Sequence, residues 1–361
     1  MTYPNTLLLL LKTVRKDLVP PLTVLAALFF AVGCEKSRHA DVAPATNKPI
    51  TEKTALRYFT VETDAVLLPR GATAKARRIK ISHGGKLVTA LSQGLHRAYL
   101  YPVFTPAGVA LTTESPIDHP HHQSITIGAD HFNVYYPYST DKLEKANYNF
   151  YVNETFQGRS AGRITATDFT STEVSPDHLR IIQQLEWRGV KEWGSPAEGR
   201  LLALETRTIN IHTGKMANIF DIRSALRPTE WVLSIGPTRH AYFTIRLADG
   251  LHEADGGKIV DSNGRHGSDV VNGRVSKWID YSGSAPHGQG AGIAVFTHPS
   301  LGSPAWHVSE WGTITVNPLA RSARKLNLGD VMEFSLRIVA HDGYVDEAGI
   351  DDLYSAFVNQ Q

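Results

Sequence analysis

The sequence predicts an all-β protein, a large antiparallel β-sandwich with one C-terminal helix. Three observations carry that prediction. Short segments alternate polar and apolar residues with period two, the pattern of a strand with one wet face. Examples are Arg78-Ile79-Lys80-Ile81, Leu179 to Trp187, Arg207 to Ile211 and Met332 to Val339. Gly, Pro, Asn and Asp separate these segments as turn residues do. No convincing long amphipathic pattern occurs before Val345 to Val358, where Asp346, Glu347, Ile350, Leu353, Tyr354 and Phe357 recur at helical spacing. That helix is expected to cap an edge. With no linker or internal repeat in sight, residues 56–361 are expected to form a single β-sandwich domain, although length alone permits two.

Residues 1–33 read as a signal peptide. Lys12, Arg15 and Lys16 supply a basic start, and Leu22 to Val32 is an apolar run too short to span a bilayer. Ala31-Val32-Gly33 then gives the small residues a signal peptidase needs. Cys34, the single cysteine among 361 residues, follows directly. This is the pattern of a bacterial lipoprotein, with Cys34 lipidated as the first mature residue; an ordinary secretory signal is the alternative. Several acyl chains on one cysteine anchor stably, since each buried methylene contributes roughly 0.8 kcal/mol. The expected location is therefore the cell envelope, with Glu35 rather than Asp favouring the outer membrane. Residues 34–55 are polar, carry Pro44 and Pro49, and read as a flexible tether.

Charge narrows the partners. The whole chain carries +2, and residues 1–33 hold Lys12, Arg15, Lys16 and Asp17, so the mature chain is neutral. Nucleic acid is not an expected partner, and membrane contact is expected through the lipid anchor only. Beyond Cys34 there is no cysteine, so stability must come from an ordinary core.

Sixteen histidines are present, and the densest string is Asp118-His119-Pro120-His121-His122-Gln123. Imidazoles beside a carboxylate can bind a divalent metal, relay protons or hydrogen-bond sugar hydroxyls. Pro120 disfavours helix, so an extended string would point His119 and His121 one way and His122 the other. Two of these with a distant ligand could hold a metal; all three could not. Histidines buried for packing alone are the structural alternative.

Around this string the sequence resembles a known family. Tyr101-Pro102-Val103-Phe104-Thr105-Pro106-Ala107-Gly108, then Asp118 to His122, then Gly128 to Asn133 match in order the bacterial family labelled methane oxygenase PmoA-like. Lys277 to Gly283, Ala294 to Pro299, Pro304 to Val308, Asn317-Pro318 and His341-Asp342-Gly343 extend the resemblance from about residue 65 to 343. The resemblance implies a secreted protein of largely unknown activity. The membrane subunit that lent the label is built from transmembrane helices, whereas the mature chain has no apolar stretch of about twenty residues. A second, shorter segment, Gly236-Pro237-Thr238-Arg239-His240-Ala241-Tyr242-Phe243, resembles the strand of aldose 1-epimerases (galactose mutarotases) whose histidine is the general acid. Thr244 and Ile245 depart from that pattern. It implies a mutarotase-like supersandwich, with His240 and Tyr242 on one face if the segment is a regular strand.

Acid–base work on a sugar needs a donor and an acceptor of protons near neutrality. His240 is the expected acid, with His121 beside it. Glu310 is a base candidate because Trp306 and Trp311 would desolvate it. Substrate contacts are expected from His119, His122, Gln123, Tyr242, His307, Trp306 and Arg246, with a turn or salt-bridge role for Arg246 and Asp249 as the alternative. His121, His298 and His307 are the metal candidates, and a divalent metal is the cofactor such a set would take. The roles of Asp130, His131 and Asn133 stay open. Three functions compete. The first is an envelope-anchored enzyme acting on a sugar, glycoside or glycan as an epimerase, lyase or hydrolase; the others are a non-catalytic carbohydrate-binding lipoprotein and a metal-dependent oxidative enzyme.

Overall fold

The computed structural model describes residues 54–63, 76–192, 194–284, 288–298 and 301–359. The signal peptide expected at 1–33, the lipidation expected at Cys34 and the tether up to residue 53 lie outside the described residues. Strand pairing starts at Thr54–Ala55, just ahead of the expected domain start at residue 56.

Alternation builds the sheets. Strands His178–Arg188 and Ala217–Pro228 bury every second side chain, as a strand with one wet face must. With Arg163–Ser175, Leu201–Thr213, Met332–Asp342, Gly290–Thr297, Trp278–Ser284 and Lys258–Asp261 they form an eight-stranded antiparallel sheet. A nine-stranded sheet runs in spatial order Thr54–Ala55, Phe59–Glu62, Arg77–His83, Lys86–Gln93, Ala98–Val103, Ile125–Ala129, Ala241–Arg246, Thr313–Val316 and Trp306–Val308. Five shorter strands, among them Phe132–Ser139 and Lys142–Asn149, make a third sheet, which holds the one parallel pairing among the described residues, between Lys142–Asn149 and Ser160–Ala161. The antiparallel all-β expectation is met.

The core lies where the large sheets face each other. The third sheet joins this core: its Phe132, and Phe150 just past its strand Lys142–Asn149, pack ring against ring with Trp187 of the eight-stranded sheet, Phe132 and Phe150 4.9 Å apart and Phe150 and Trp187 4.8 Å apart. The buried Tyr242 hydroxyl crosses from the nine-stranded sheet to Ser224 of the eight-stranded one, 2.8 Å away.

The helix spans Ile350–Asn359, shorter than its sequence pattern. Val345 to Gly349 are turns, and Gly349 takes a left-handed φ of 63° just before the helix. It covers a sheet face instead of capping an edge. Trp278, Phe296 and Val339 point away from the main core, and Ile350 and Phe357 pack on them as a second apolar cluster. Trp278 Nε1 donates to Asp351 Oδ1 at 2.9 Å, which fixes the first turn of the helix on the sheet.

Candidate functional site

Three central strands of the nine-stranded sheet are buried along their whole length, so both of their faces are covered. Cross-strand partners share a face. Phe243 pairs with Val316 and Ile127, and Ile245 with Ile314 and Ile125, all apolar and in the core. Thr244 pairs with Thr315 and Thr126, and Arg246 with Thr313, which makes the opposite face polar. Thr313 and loops around it line a pocket of about 730 Å³.

The histidine string forms one wall, and it is coiled into turns. His119 N–H donates to the Pro116 carbonyl at 3.1 Å and His122 N–H to the His119 carbonyl at 2.8 Å, with Pro120 at the second position of the latter turn, where its fixed φ is favoured. The expected alternation is thereby overturned: the rings of His119 and His122, three residues apart, stack at 4.7 Å, and His121 meets His122 edge-on at 4.6 Å. Trp311 stacks on His119 at 4.4 Å and carries the Arg246 guanidinium 4.7 Å from its ring centre. Trp311 sits at the tip of the hairpin between Trp306–Val308 and Thr313–Val316. Gly312 there has φ +79°, and a Cβ on it would come within 2.8 Å of the His252 Cβ, so the tip requires glycine.

The opposite wall follows Asn149. Its Oδ1 accepts from Tyr151 N–H at 2.8 Å and Val152 N–H at 3.0 Å, turning the chain across the sheet. Gly128 lets it pass, since a Cβ there would lie 2.4 Å from the Phe150 carbonyl oxygen. Buried Arg97 ties the two walls together. It donates to Gln123 Oε1, the Phe150, Tyr151 and His121 carbonyls and Asn153 Oδ1, so every partner is neutral. Burial draws its pKa down to about 10, so it remains a cation at neutral pH.

At the pocket's end stands an aspartate–histidine pair. His240 Nδ1 donates to Asp130 Oδ2 at 3.0 Å, and Tyr151 stacks on the imidazole at 5.0 Å. Asp130 Oδ1 accepts from Thr238 Oγ1 and from His131 Nδ1 at 2.7 Å. Burial pushes the Asp130 carboxyl up, but the bonds from His240, Thr238 and His131 outweigh it and hold the pKa near 2. Arg239 Nε donates to His240 Nε2 at 3.1 Å. A guanidinium only donates, so Nε2 keeps its lone pair and the imidazole is neutral with its proton on Nδ1.

Burial and neighbouring cations keep other imidazoles neutral too. Burial, then the charge of Arg97, takes His121 down to about 4; burial, then His121 and His119, takes His122 down to about 2. Burial, then Arg239 and His240, lowers His307. Tyr151, whose hydroxyl lies 3.2 Å from His122 Nε2, is pushed up to about 12 chiefly by burial.

The structure thus gathers His119, His121, His122, His240 and His307 around one hollow. Gln123 and Arg246 lie just behind it, the first holding Arg97 and the second paired with Asp118 at 2.8 Å instead of Asp249. Four candidates stand elsewhere. Glu310 is exposed in the Ser309–Gly312 turn, so the desolvation expected from Trp306 and Trp311 is absent. Trp306 is core, donating from Nε1 to Ser276 Oγ at 2.8 Å. Tyr242 points into the core, its hydroxyl on Ser224, although alternation with Thr244 and Arg246 would put it on the polar face; the strand breaks its alternation at Tyr242–Phe243, both of which are core, so Tyr242 does not share the side of His240. His298 meets Phe357 of the helix at 5.9 Å, so the metal set His121, His298 and His307 does not assemble. Among the described residues, the one group of three whose ligating atoms lie within 4.8 Å of one another is Asp249, His252 and Asp255, outside the pocket lining.

Sequence reasoning left Asp130 open and missed Arg97, Arg239, Tyr151 and Asn153. The Asp130-His131 doublet was the available signal for the first.

A family described as being of unknown function, DUF6807, matches residues 78–355. The chain belongs to that family. Its description assigns no activity and does not carry the methane-oxygenase label. No curated protein matches the sequence. Among solved structures, a galactose mutarotase related enzyme from Lactobacillus acidophilus is similar, with 7% identity, a TM-score of 0.29, and coverage of 74% of this chain and 95% of that one. At this distance it adds nothing to the reading of the site.

Proposed function

We propose that this member of the family binds a sugar or glycan in the pocket and acts on it by acid–base chemistry, with His240 as the proton-transfer group and Asp130 as the residue that positions it. The observation that carries the reading is the Asp130–His240 pair, 3.0 Å long, at the wall of the hollow. A carboxylate behind Nδ1 fixes the tautomer, orients the ring and stabilises the imidazolium that forms when Nε2 takes a proton. The lining supports a polyhydroxylated ligand. Neutral His121 and His122, Asn149, Asn153 and Thr313 offer directional donors and acceptors, and Phe156, 45% exposed, offers an apolar face for sugar C–H groups. The resemblance of Gly236 to Phe243 to aldose 1-epimerases also favours His240. Epimerisation, elimination and hydrolysis are the reaction classes open to such a group. We also propose that Cys34 is lipidated and holds the protein in the envelope, which a shift of Cys34→Ala protein out of the membrane fraction would support.

The test is a panel of sugars and glycosides given to wild type and His240→Asn, with products followed by NMR and binding by calorimetry. Turnover should fall by about 10²–10⁴-fold while binding persists. Full turnover by His240→Asn would overturn the catalytic role, and binding without turnover by wild type would leave a carbohydrate-binding protein.

A further inference from the structure

Resting on that reading of the pocket, we infer that its sugar carries a carboxylate, as a uronate or other sugar acid does, and that Arg239 is the group that receives it. Two cations at the site have no carboxylate partner among the described residues. Arg97 is buried among neutral carbonyl and amide oxygens, two of which, the His121 carbonyl and Asn153 Oδ1, belong to pocket-lining residues. Arg239 is exposed, lines the pocket, and spends its one described hydrogen bond on the neutral His240 Nε2. The nearby guanidiniums of Arg246 and Arg159 differ, since they lie 2.8 Å from Asp118 and 3.9 Å from Asp130.

The pocket's own anions do not answer these charges. Asp130 already accepts from Thr238, His131 and His240. Glu154 is exposed and makes no ion pair with Arg239. Arg97, buried behind the lining without a counter-ion, makes the hollow favour an anion, and Arg239, exposed in the lining, is the guanidinium that a ligand carboxylate can reach.

The position of Arg239 gives the charge a second consequence. While its Nε occupies His240 Nε2, the only lone pair of that imidazole is covered. A ligand carboxylate accepts two parallel N–H bonds from a guanidinium, a stronger arrangement than a single bond to an imidazole nitrogen. Binding of an acidic sugar therefore draws Arg239 away and uncovers the base beside the carbon or oxygen it must serve. A neutral sugar leaves Nε2 covered.

Calorimetry on the full domain tests this with glucuronate, galacturonate and short oligouronates against glucose, galactose and neutral oligosaccharides of the same length. The acids should bind on the order of tenfold tighter, and the advantage should shrink as salt is raised. Arg239→Met should remove the advantage, and Arg239→Lys should restore part of it; unchanged thermal unfolding would show that the exposed substitution leaves the fold intact. Neutral sugars that bind and turn over as well as acids, or an Arg239→Met protein that still prefers acids, would overturn the inference and leave the sugar-site reading standing. Failure of every sugar to bind would instead remove that reading.

Discussion

Two aspartate–histidine pairs in this molecule use the same functional groups and differ in what meets the far ring nitrogen. Asp280 and His341 lie in the eight-stranded sheet, 2.7 Å apart, both with side chains at 0% exposure. The His341 ring reaches Asp280 across Gly292, where an added Cβ would come within 2.5 Å of it. Its Nδ1 faces the Asp342 carbonyl at 3.3 Å, so both nitrogens face acceptors and both carry protons. Burial lowers the His341 pKa, but the Asp280 hydrogen bond and charge outweigh it and the net shift is upward. His240, at 30% exposure beside Asp130, has a cation at its far nitrogen and so stays neutral with a lone pair. A pair closed by acceptors holds a fold together; a pair whose far nitrogen keeps a lone pair beneath a displaceable guanidinium is the one proposed for proton transfer.

Removing one partner separates the two most sharply. His341→Ala strands a buried carboxylate and should cost about 3–5 kcal/mol in urea unfolding at pH 7. His240→Ala should cost about 1 kcal/mol or less, because Asp130 keeps Thr238 and His131 as donors. Equal losses would erase the distinction between the pairs.

The sequence made the first region's strands legible and the second region's chemistry only partly so. Leu179 to Trp187 and Met332 to Val339 reveal themselves because a half-wet strand must alternate. The polar face of the central strands is written in Thr313-Ile314-Thr315-Val316 and Thr244-Ile245-Arg246, yet nothing in that pattern says that a pocket covers it. Asp130 stands 110 residues from His240, and a pairing over that separation leaves no local trace. Arg97 is illegible for the same reason, since its partners come from Gln123, His121 and the segment 150–153. Glu310 misled because nearness in sequence to two tryptophans is not burial: it stands exposed in the four-residue turn Ser309–Gly312 that also carries Trp311.

pH sharpens the comparison, because the two regions should titrate in opposite directions. The protonated His341 contributes fully below the ordinary histidine pKa of 6.5, and that contribution is lost as pH rises through its raised folded value. His121 and His122, held at about 4 and about 2, are neutral in the fold, so their contribution is intact above 6.5 and is lost as pH falls from there. Asp130, near 2, gives up its share only as pH falls below 3.8, a window that opens below that of His121 and overlaps the lower end of that of His122. Stability measured across pH should therefore show two limbs. His341→Leu should flatten the alkaline one, and His122→Gln should make the acid one shallower; an alkaline limb that survives in His341→Leu belongs to another group.

The smallest expected effect tests whether burial, rather than the presence of the pair, sets the scale. His131 also binds Asp130, at 2.7 Å, but its side chain is 38% exposed. An exposed ion pair contributes between nothing and about 1 kcal/mol, and Thr238 still donates to the same carboxylate oxygen when the imidazole is gone. His131→Gln should therefore change unfolding free energy by no more than about 0.5 kcal/mol. Thr238→Val removes a buried donor to Asp130 and also the oxygen that accepts the His240 backbone N–H at 3.0 Å, so it should cost more. Should His131→Gln prove the more damaging of the two, the carboxylate is held from its exposed side, and the ordering of these pairs by burial is wrong.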